Sequence, residues 1–153
     1  MELIKIVADE PALLTLASQL AQHLKPGLKL YFSGELGAGK TTFCRGMLRA
    51  LGYAGPVKSP TYTLVQSYTV HGLTIHHFDL YRLQDRTELD FMGFQDYLDP
   101  AAILWVEWPE KAGSGLPIAD LEIQLSCPPD GGRQVIFRSG TESGEQLLRE
   151  GIN

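Results

Sequence analysis

Gly34-Glu35-Leu36-Gly37-Ala38-Gly39-Lys40-Thr41 is the stretch that decides the fold. It satisfies G-x-x-x-x-G-K-[ST], the pattern of a loop that wraps phosphate groups. At average residue frequencies, about 150 starting positions give a chance match in roughly half a percent of chains this long. The flanks sharpen the reading. Residues 28–33 alternate and are rich in β-formers, which predicts a strand running into the loop. Residues 42–51 follow with helical spacing, placing Phe43, Met47, Ala50 and Leu51 on one face, and Gly52 closes the helix. Strand, glycine loop and helix together are the context this pattern needs.

The residue types fit triphosphate chemistry. Several backbone N–H groups must point inward, and glycines let the chain curl that tightly and approach that closely. A helix beginning near Lys40 adds unsatisfied N–H groups and the positive end of its dipole. The nucleotide-binding residues are therefore Glu35, Leu36, Gly37, Ala38, Gly39, Lys40, Thr41 and Thr42. Lys40 is expected to reach the β- and γ-phosphates, and the Thr41 hydroxyl to ligate Mg²⁺. The bland alternative is a glycine-rich turn with a solvated lysine, and the flanking strand and helix argue against it.

The 153 residues suit one domain, with 44% hydrophobic and 20% charged residues. Thirteen basic and eighteen acidic side chains give a net charge of −5, which speaks against general affinity for DNA or other nucleic acid. Cys44 and Cys127 lack metal-site spacing and a secretory context, so reduced thiols in the cytoplasm are expected. No apolar run has membrane-spanning length.

Upstream of the loop, residues 3–7 predict a short strand. Asp9 can then cap a helix with Pro11 in its first turn. That helix buries Leu13, Leu16, Ala17, Leu20, Ala21 and Leu24 along one face. His23, near its end, fits a dipole or solvent role better than catalysis. Downstream, residues 61–70 alternate, with Tyr62, Leu64, Gln66, Tyr68 and Val70 on one side, and predict a strand. His71-Gly72 turns the chain into a second strand over residues 73–80, and strands so connected must pair antiparallel. Residues 87–98 predict a short helix that Gly93 interrupts, burying Leu89 and Met92. The continuous apolar run over residues 101–106 marks a central strand covered on both faces. Residues 121–126 and 134–139 form a further hairpin, and residues 139–153 are expected as a polar tail with room for a short helix near residues 145–149. The fold class is α/β: a single-domain P-loop NTPase, residues 1–153, with a mixed, mainly parallel central sheet, antiparallel hairpins and flanking helices.

An acid at the end of a neighbouring buried strand commonly completes such a site. Glu107 follows the apolar run and emerges where ligands gather in open α/β sheets. Asp79 ends His76-His77-Phe78-Asp79, a less apolar strand. The bland alternative for each acid is a surface carboxylate at a strand end, and the site reading is preferred for both, more so for Glu107. Ser59-Pro60-Thr61-Tyr62-Thr63 occupies the position of a loop whose hydroxyls sense a γ-phosphate, with a Pro-fixed strand start as the alternative. Adjacent His76 and His77 face opposite sides of a strand, which opposes a shared metal. Trp108-Pro109 suits core packing, a partner contact or exclusion of water. Arg82 and Arg133 are candidates for charge stabilisation.

At these residues the chain resembles the bacterial TsaE (YjeE-type) family, over most of its length. Residues 34–42 are similar to the family's loop, and Ser59-Pro60-Thr61-Tyr62-Thr63-Leu64-Val65 to its first switch. Phe78-Asp79-Leu80-Tyr81-Arg82-Leu83 and Val106-Glu107-Trp108-Pro109 are similar to its two acidic motifs, and divergence concentrates after Pro117. The resemblance implies a small mixed-sheet P-loop fold and an ATPase that is weak alone. It also implies partnership with TsaD and TsaB, which install threonylcarbamoyl on adenosine 37 of tRNAs reading ANN codons, so that tRNA is met indirectly through the complex. Carried onto this chain, it implies Lys40, Glu107 and Asp79 as catalytic residues. Thr41 and Glu107 become the Mg²⁺ ligands, and Ser59, Thr61, Asp79, Tyr81 and Arg82 belong to nucleotide-responsive switches. Two other classes stay open from sequence: a small-molecule kinase, and a nucleotide-dependent interaction module whose hydrolysis is dispensable. The absence of an N-K-x-D signature disfavours GTP.

Overall fold

Ala102–Glu107 forms a strand buried at every position, the core of the sheet in a computed structural model that describes residues 1–152. A strand covered on both faces needs no polar alternation, which accounts for its continuous apolar run. In chain order the strands are β1 (Glu2–Val7), β2 (Lys29–Ser33), β3 (Val65–Val70), β4 (Leu73–Asp79), β5 (Ala102–Glu107), β6 (Leu121–Ser126) and β7 (Arg133–Ser139). They make one seven-stranded sheet in the order β1-β7-β6-β2-β5-β4-β3. The central β6, β2, β5 and β4 run parallel, while β1 and β7 at one margin and β3 at the other pair antiparallel. The sheet is mixed, and both sequence-predicted hairpins are present.

One face carries the long helices α1 (Glu10–Ala21) and α2 (Lys40–Ala50), together with α4 (Glu142–Gly151). Leu13, Leu16, Ala17, Leu20, Ala21 and Leu24 are all buried there, as the spacing predicts, with Phe43 and Met47 from α2. Asp9 caps α1 by accepting from the Ala12 N–H at 3.0 Å. Gly46 lets α1 lie close on α2, because a Cβ there would sit 2.9 Å from Leu14 and 3.1 Å from Ala17. The other face is covered more thinly, by α3 (Thr87–Phe91) and the 3-10 turns Phe94–Tyr97 and Pro109–Gly115, over Tyr31, Phe78, Leu104 and Val106. Gly93, at φ 75°, makes the break between α3 and the turn after it. No helix among the described residues is long and apolar enough to cross a membrane.

Two elements differ from the sequence reading. The alternation over residues 61–70 predicts one strand, but only Val65–Val70 is extended. Leu64 adopts φ 68° and its N–H returns to Pro60 O at 2.7 Å, so residues 60–64 form a turn and Tyr62 stands 81% exposed. Alternating Tyr62 and Leu64 mimic a strand, whereas the local hydrogen bond of the turn decides. The expected polar tail folds as α4: Thr141 caps it, and Leu147, Leu148 and Ile152 enter the main core. Position 153 of that tail lies outside the described residues.

Candidate active site

The sheet delivers its polar groups to one edge. β2 ends at Ser33, the chain wraps through residues 34–39, and α2 starts at Lys40. Gly34, Gly37 and Gly39 all have positive φ, at 138°, 81° and 110°. A Cβ on Gly34 would lie 2.3 Å from the Leu125 carbonyl oxygen of β6, so only glycine lets the loop start so close to the sheet. Gly37 faces open space, with nothing within 4 Å of a built Cβ.

Side chains brace this loop from behind. Lys40 is 5% exposed, and its Nζ donates to the Gly34 carbonyl and, at 3.0 Å, to that of Glu35. Arg133 Nε donates to Ala38 O at 2.9 Å, and its Nη2 to Gly37 O at 3.3 Å. Burial pushes the Lys40 pKa down, with the Glu107 and Asp79 carboxylates opposing the shift. The Trp108 ring lies under the ammonium at 4.4 Å, held by an unusual φ of 57° just after β5.

Glu107 and Asp79 end adjacent parallel strands and are register partners. Both are buried, at 2% and 4% exposure. Thr41 Oγ1, in the first turn of α2, donates toward the Glu107 carboxylate at 3.2 and 3.3 Å. Asp79 holds the opposite wall. Its Oδ2 accepts from Thr61 Oγ1 at 2.8 Å, its Oδ1 from the Tyr81 N–H at 3.0 Å, and Thr61 in turn touches Ser59 Oγ at 2.7 Å.

Lys40, Thr41, Asp79, Glu107, Thr61 and Ser59 thus share one cavity of about 340 Å³, floored by Gly37 and Gly39. Leu36, Thr42 and Trp108 also line it, as do Asp9 and Arg133 at the far end. Glu35 and Ala38 contribute carbonyls that brace the loop. Tyr81 is tied in through its backbone, and its ring packs on Trp108 at 5.0 Å. Arg82 turns aside, donating to Tyr62 OH at 3.2 Å.

His77 is the residue of this cluster that the sequence reading passed over. Its Nε2 lies 2.7 Å from Glu107 Oε2. The signal was available: His77 and Asp79 are two apart on one strand and so share a face. Cys44, His77 and Glu107 also bring ligand atoms within 4.8 Å of one another, a grouping in space that sequence spacing does not reveal. The donors nearest the loop, a hydroxyl and a carboxylate, are hard oxygens of the kind magnesium takes, so the residues present fit that ion.

A glycine-wrapped loop between a parallel strand and a helix, facing a buried acid on the next strand, defines a P-loop NTPase fold. Comparison with known proteins narrows the class. The family model described as "Threonylcarbamoyl adenosine biosynthesis protein TsaE" matches residues 7–135. The chain is 40% identical over 151 residues to the tRNA threonylcarbamoyladenosine biosynthesis protein TsaE of Haemophilus influenzae, spanning 95% of each chain. It is 34% identical over 135 residues to the Bacillus subtilis protein of that name, covering 88% of this chain and 84% of the relative. The crystal structure of Bacillus subtilis YdiB superposes with a TM-score of 0.84 at 28% identity, covering 98% of this chain and 93% of that one. The chain belongs to the TsaE family.

Proposed function

We propose that this protein is a Mg²⁺-dependent ATPase that drives or resets a TsaB–TsaD complex during threonylcarbamoyladenosine formation at position 37 of tRNAs reading ANN codons. It acts in the cytoplasm and meets tRNA through the complex. The names of its relatives support the pathway. The observation that carries the chemistry is the buried Glu107 carboxylate at the end of β5, 3.2 Å from the Thr41 hydroxyl and beside Lys40.

On this reading the loop N–H groups and the start of α2 bind the phosphates. Lys40 exchanges its two carbonyl partners for phosphoryl oxygens, whose charge also offsets the burial that disfavours its protonated form. Glu107 orients the attacking water, with Asp79 as its neighbour across the sheet. Thr41 and Glu107 are the residues that would hold Mg²⁺, which supplies charge neutralisation on the phosphoryl oxygens when bound. Thr61 and Ser59, strung on Asp79, form the responsive wall with Tyr81 and Arg82.

Slow turnover follows from the arginines. Arg133 is engaged by loop carbonyls and Arg82 by Tyr62, and a free cationic finger is worth about 10³–10⁵ in rate. Hydrolysis of Mg·ATP should therefore be slow alone and rise when TsaB and TsaD are added. Glu107→Ala should bind nucleotide in calorimetry yet lose at least about 100-fold in turnover. A folded protein that takes up no heat from Mg·ATP, or a Glu107→Ala variant that turns over normally, would remove the reading.

A further inference from the structure

The contact between His77 and Glu107 has no part in the mechanism above, yet both side chains are buried and their atoms lie 2.7 Å apart. Ile75, His77 and Asp79 alternate onto the α2 side of β4. The register sets His77 opposite Trp105 and Asp79 opposite Glu107. His77 therefore reaches Glu107 from one strand across and one pleat back. Trp105 packs edge-on to the imidazole, with ring centroids 5.9 Å apart at 74°. A carboxylate accepts and does not donate, so the shared proton belongs to Nε2, while Nδ1 has no hydrogen-bond partner among the described residues.

The same three-residue cluster could be taken for a soft-metal site with Cys44. The distances oppose this. Nitrogen and oxygen ligands on a tetrahedral zinc stand about 3.3 Å apart. The His77–Glu107 separation is shorter and is that of a hydrogen bond.

Among the described residues, the Glu107 carboxylate is held, apart from the His77 contact, by Thr41 alone, through two long contacts from one hydroxyl. Thr41 has a single proton to donate, so its hydroxyl, shared between the two oxygens at 3.2 and 3.3 Å, does not by itself fix the plane of the carboxylate. We propose that His77 is a positioning residue, whose Nε2–H holds the Glu107 carboxylate in the orientation that faces Thr41 at the start of α2. Residues that hydrogen-bond a functional carboxylate in this way set its orientation, and their loss costs roughly 10- to 100-fold in activity or metal affinity. The kinetic consequence rests on the ATPase reading; the contact does not.

Two measurements test it. In ¹⁵N-edited spectra the parent should show a protected, downfield His77 Nε2–H proton that moves when Glu107 is replaced by Gln. In Mg·ATP hydrolysis, His77→Phe keeps the ring volume without the donor. It should lower kcat roughly 10- to 100-fold with KM little changed. His77→Gln, whose amide N–H reaches the Nε2 position, should recover most of that loss. If His77→Phe loses its melting transition, Gln is compared with Asn, whose shorter amide should not rescue. A solvent-exchanging Nε2–H in the parent, a fully active Phe variant, or Gln no better than Phe or Asn would overturn the proposal. A protected N–H that responds to Glu107→Gln in a parent without hydrolysis, alone or with TsaB–TsaD, would support the positioning contact and overturn the ATPase reading instead.

Discussion

The two segments that face each other across the cavity are held in opposite ways. Residues 34–39 are fixed on several sides: three glycines with positive φ, Lys40 on the Gly34 and Glu35 carbonyls, and Arg133 on those of Gly37 and Ala38. Residues 59–64 reach the cavity through hydroxyls strung on one carboxylate, with Thr61 on Asp79 and Ser59 on Thr61. Tyr62 is exposed and touches Arg82, while Leu64, at φ 68°, packs on the thinner core and accepts the Asp79 N–H at 3.0 Å. The glycine dihedrals and the Arg133 contacts hold most of the cradle in advance, so little beyond the two Lys40 contacts must change when charge arrives. The facing wall can respond, because few bonds must break for it to move.

The contrast breaks most readily at Gly34. Its φ of 138° and the Leu125 carbonyl 2.3 Å from a built Cβ leave no room for a side chain. Gly34→Ala should cost about 3–5 kcal/mol, from strain and a backbone clash together. Gly37→Ala meets nothing within 4 Å and should cost only the left-handed penalty, about 1–2 kcal/mol. Urea titrations of the two variants check this pair. Equal midpoints would mean the loop yields as easily as the wall opposite.

Thr61→Val tests the other side, with a smaller effect on the fold. It removes one hydrogen bond to Asp79, so stability should fall by about 1 kcal/mol. For a chain of this size that is a drop of roughly 2–4 °C in the melting midpoint. Turnover should fall by more than that stability loss suggests, because among the described residues the Asp79 carboxylate then keeps only the Tyr81 N–H. A large loss of stability with normal turnover would make residues 59–64 a structural brace.

How much of this was legible follows the range of the forces involved. The loop was readable because glycine spacing, strand and helix are all local. Glu107 and Asp79 were placed at strand ends by the apolar runs before them, but that they are register partners is a fact of sheet order. His77 was hidden by the same limit. Beside His76 it invites only the question of a shared metal, which strand alternation opposes, while its actual partner lies thirty positions away on another strand. Residues 61–64 were misread because alternation of Tyr62 and Leu64 looks the same in a turn as in a strand. In the tail the sequence shows a polar segment with room for a short helix near residues 145–149, but not the longer α4, because only Leu147 and Leu148, with Ile152 at its cap, enter the core.

The smallest expected effect concerns the hairpin that carries the responsive wall. His76, on β4, meets Ser67 Oγ of β3 at 2.7 Å and packs edge-on against Tyr97 at 4.9 Å. Burial lowers its pKa from 6.5, with Asp99 opposing in part. The sign follows from proton binding. Between the lowered folded value and 6.5 the unfolded chain holds the proton that the folded chain resists, so stability rises with pH across that window. His76 therefore contributes a loss of stability that begins as the pH falls below 6.5 and levels off beneath the folded value. His76→Gln should flatten that part of the pH profile of the urea midpoint. Hydrogen exchange should localise the effect: at pH 5 the β3–β4 amides lose protection in the parent while those of residues 34–39 change less. If the loop loosened in step with the hairpin, the two walls would share one support, and the division between a fixed cradle and a responsive face would fall.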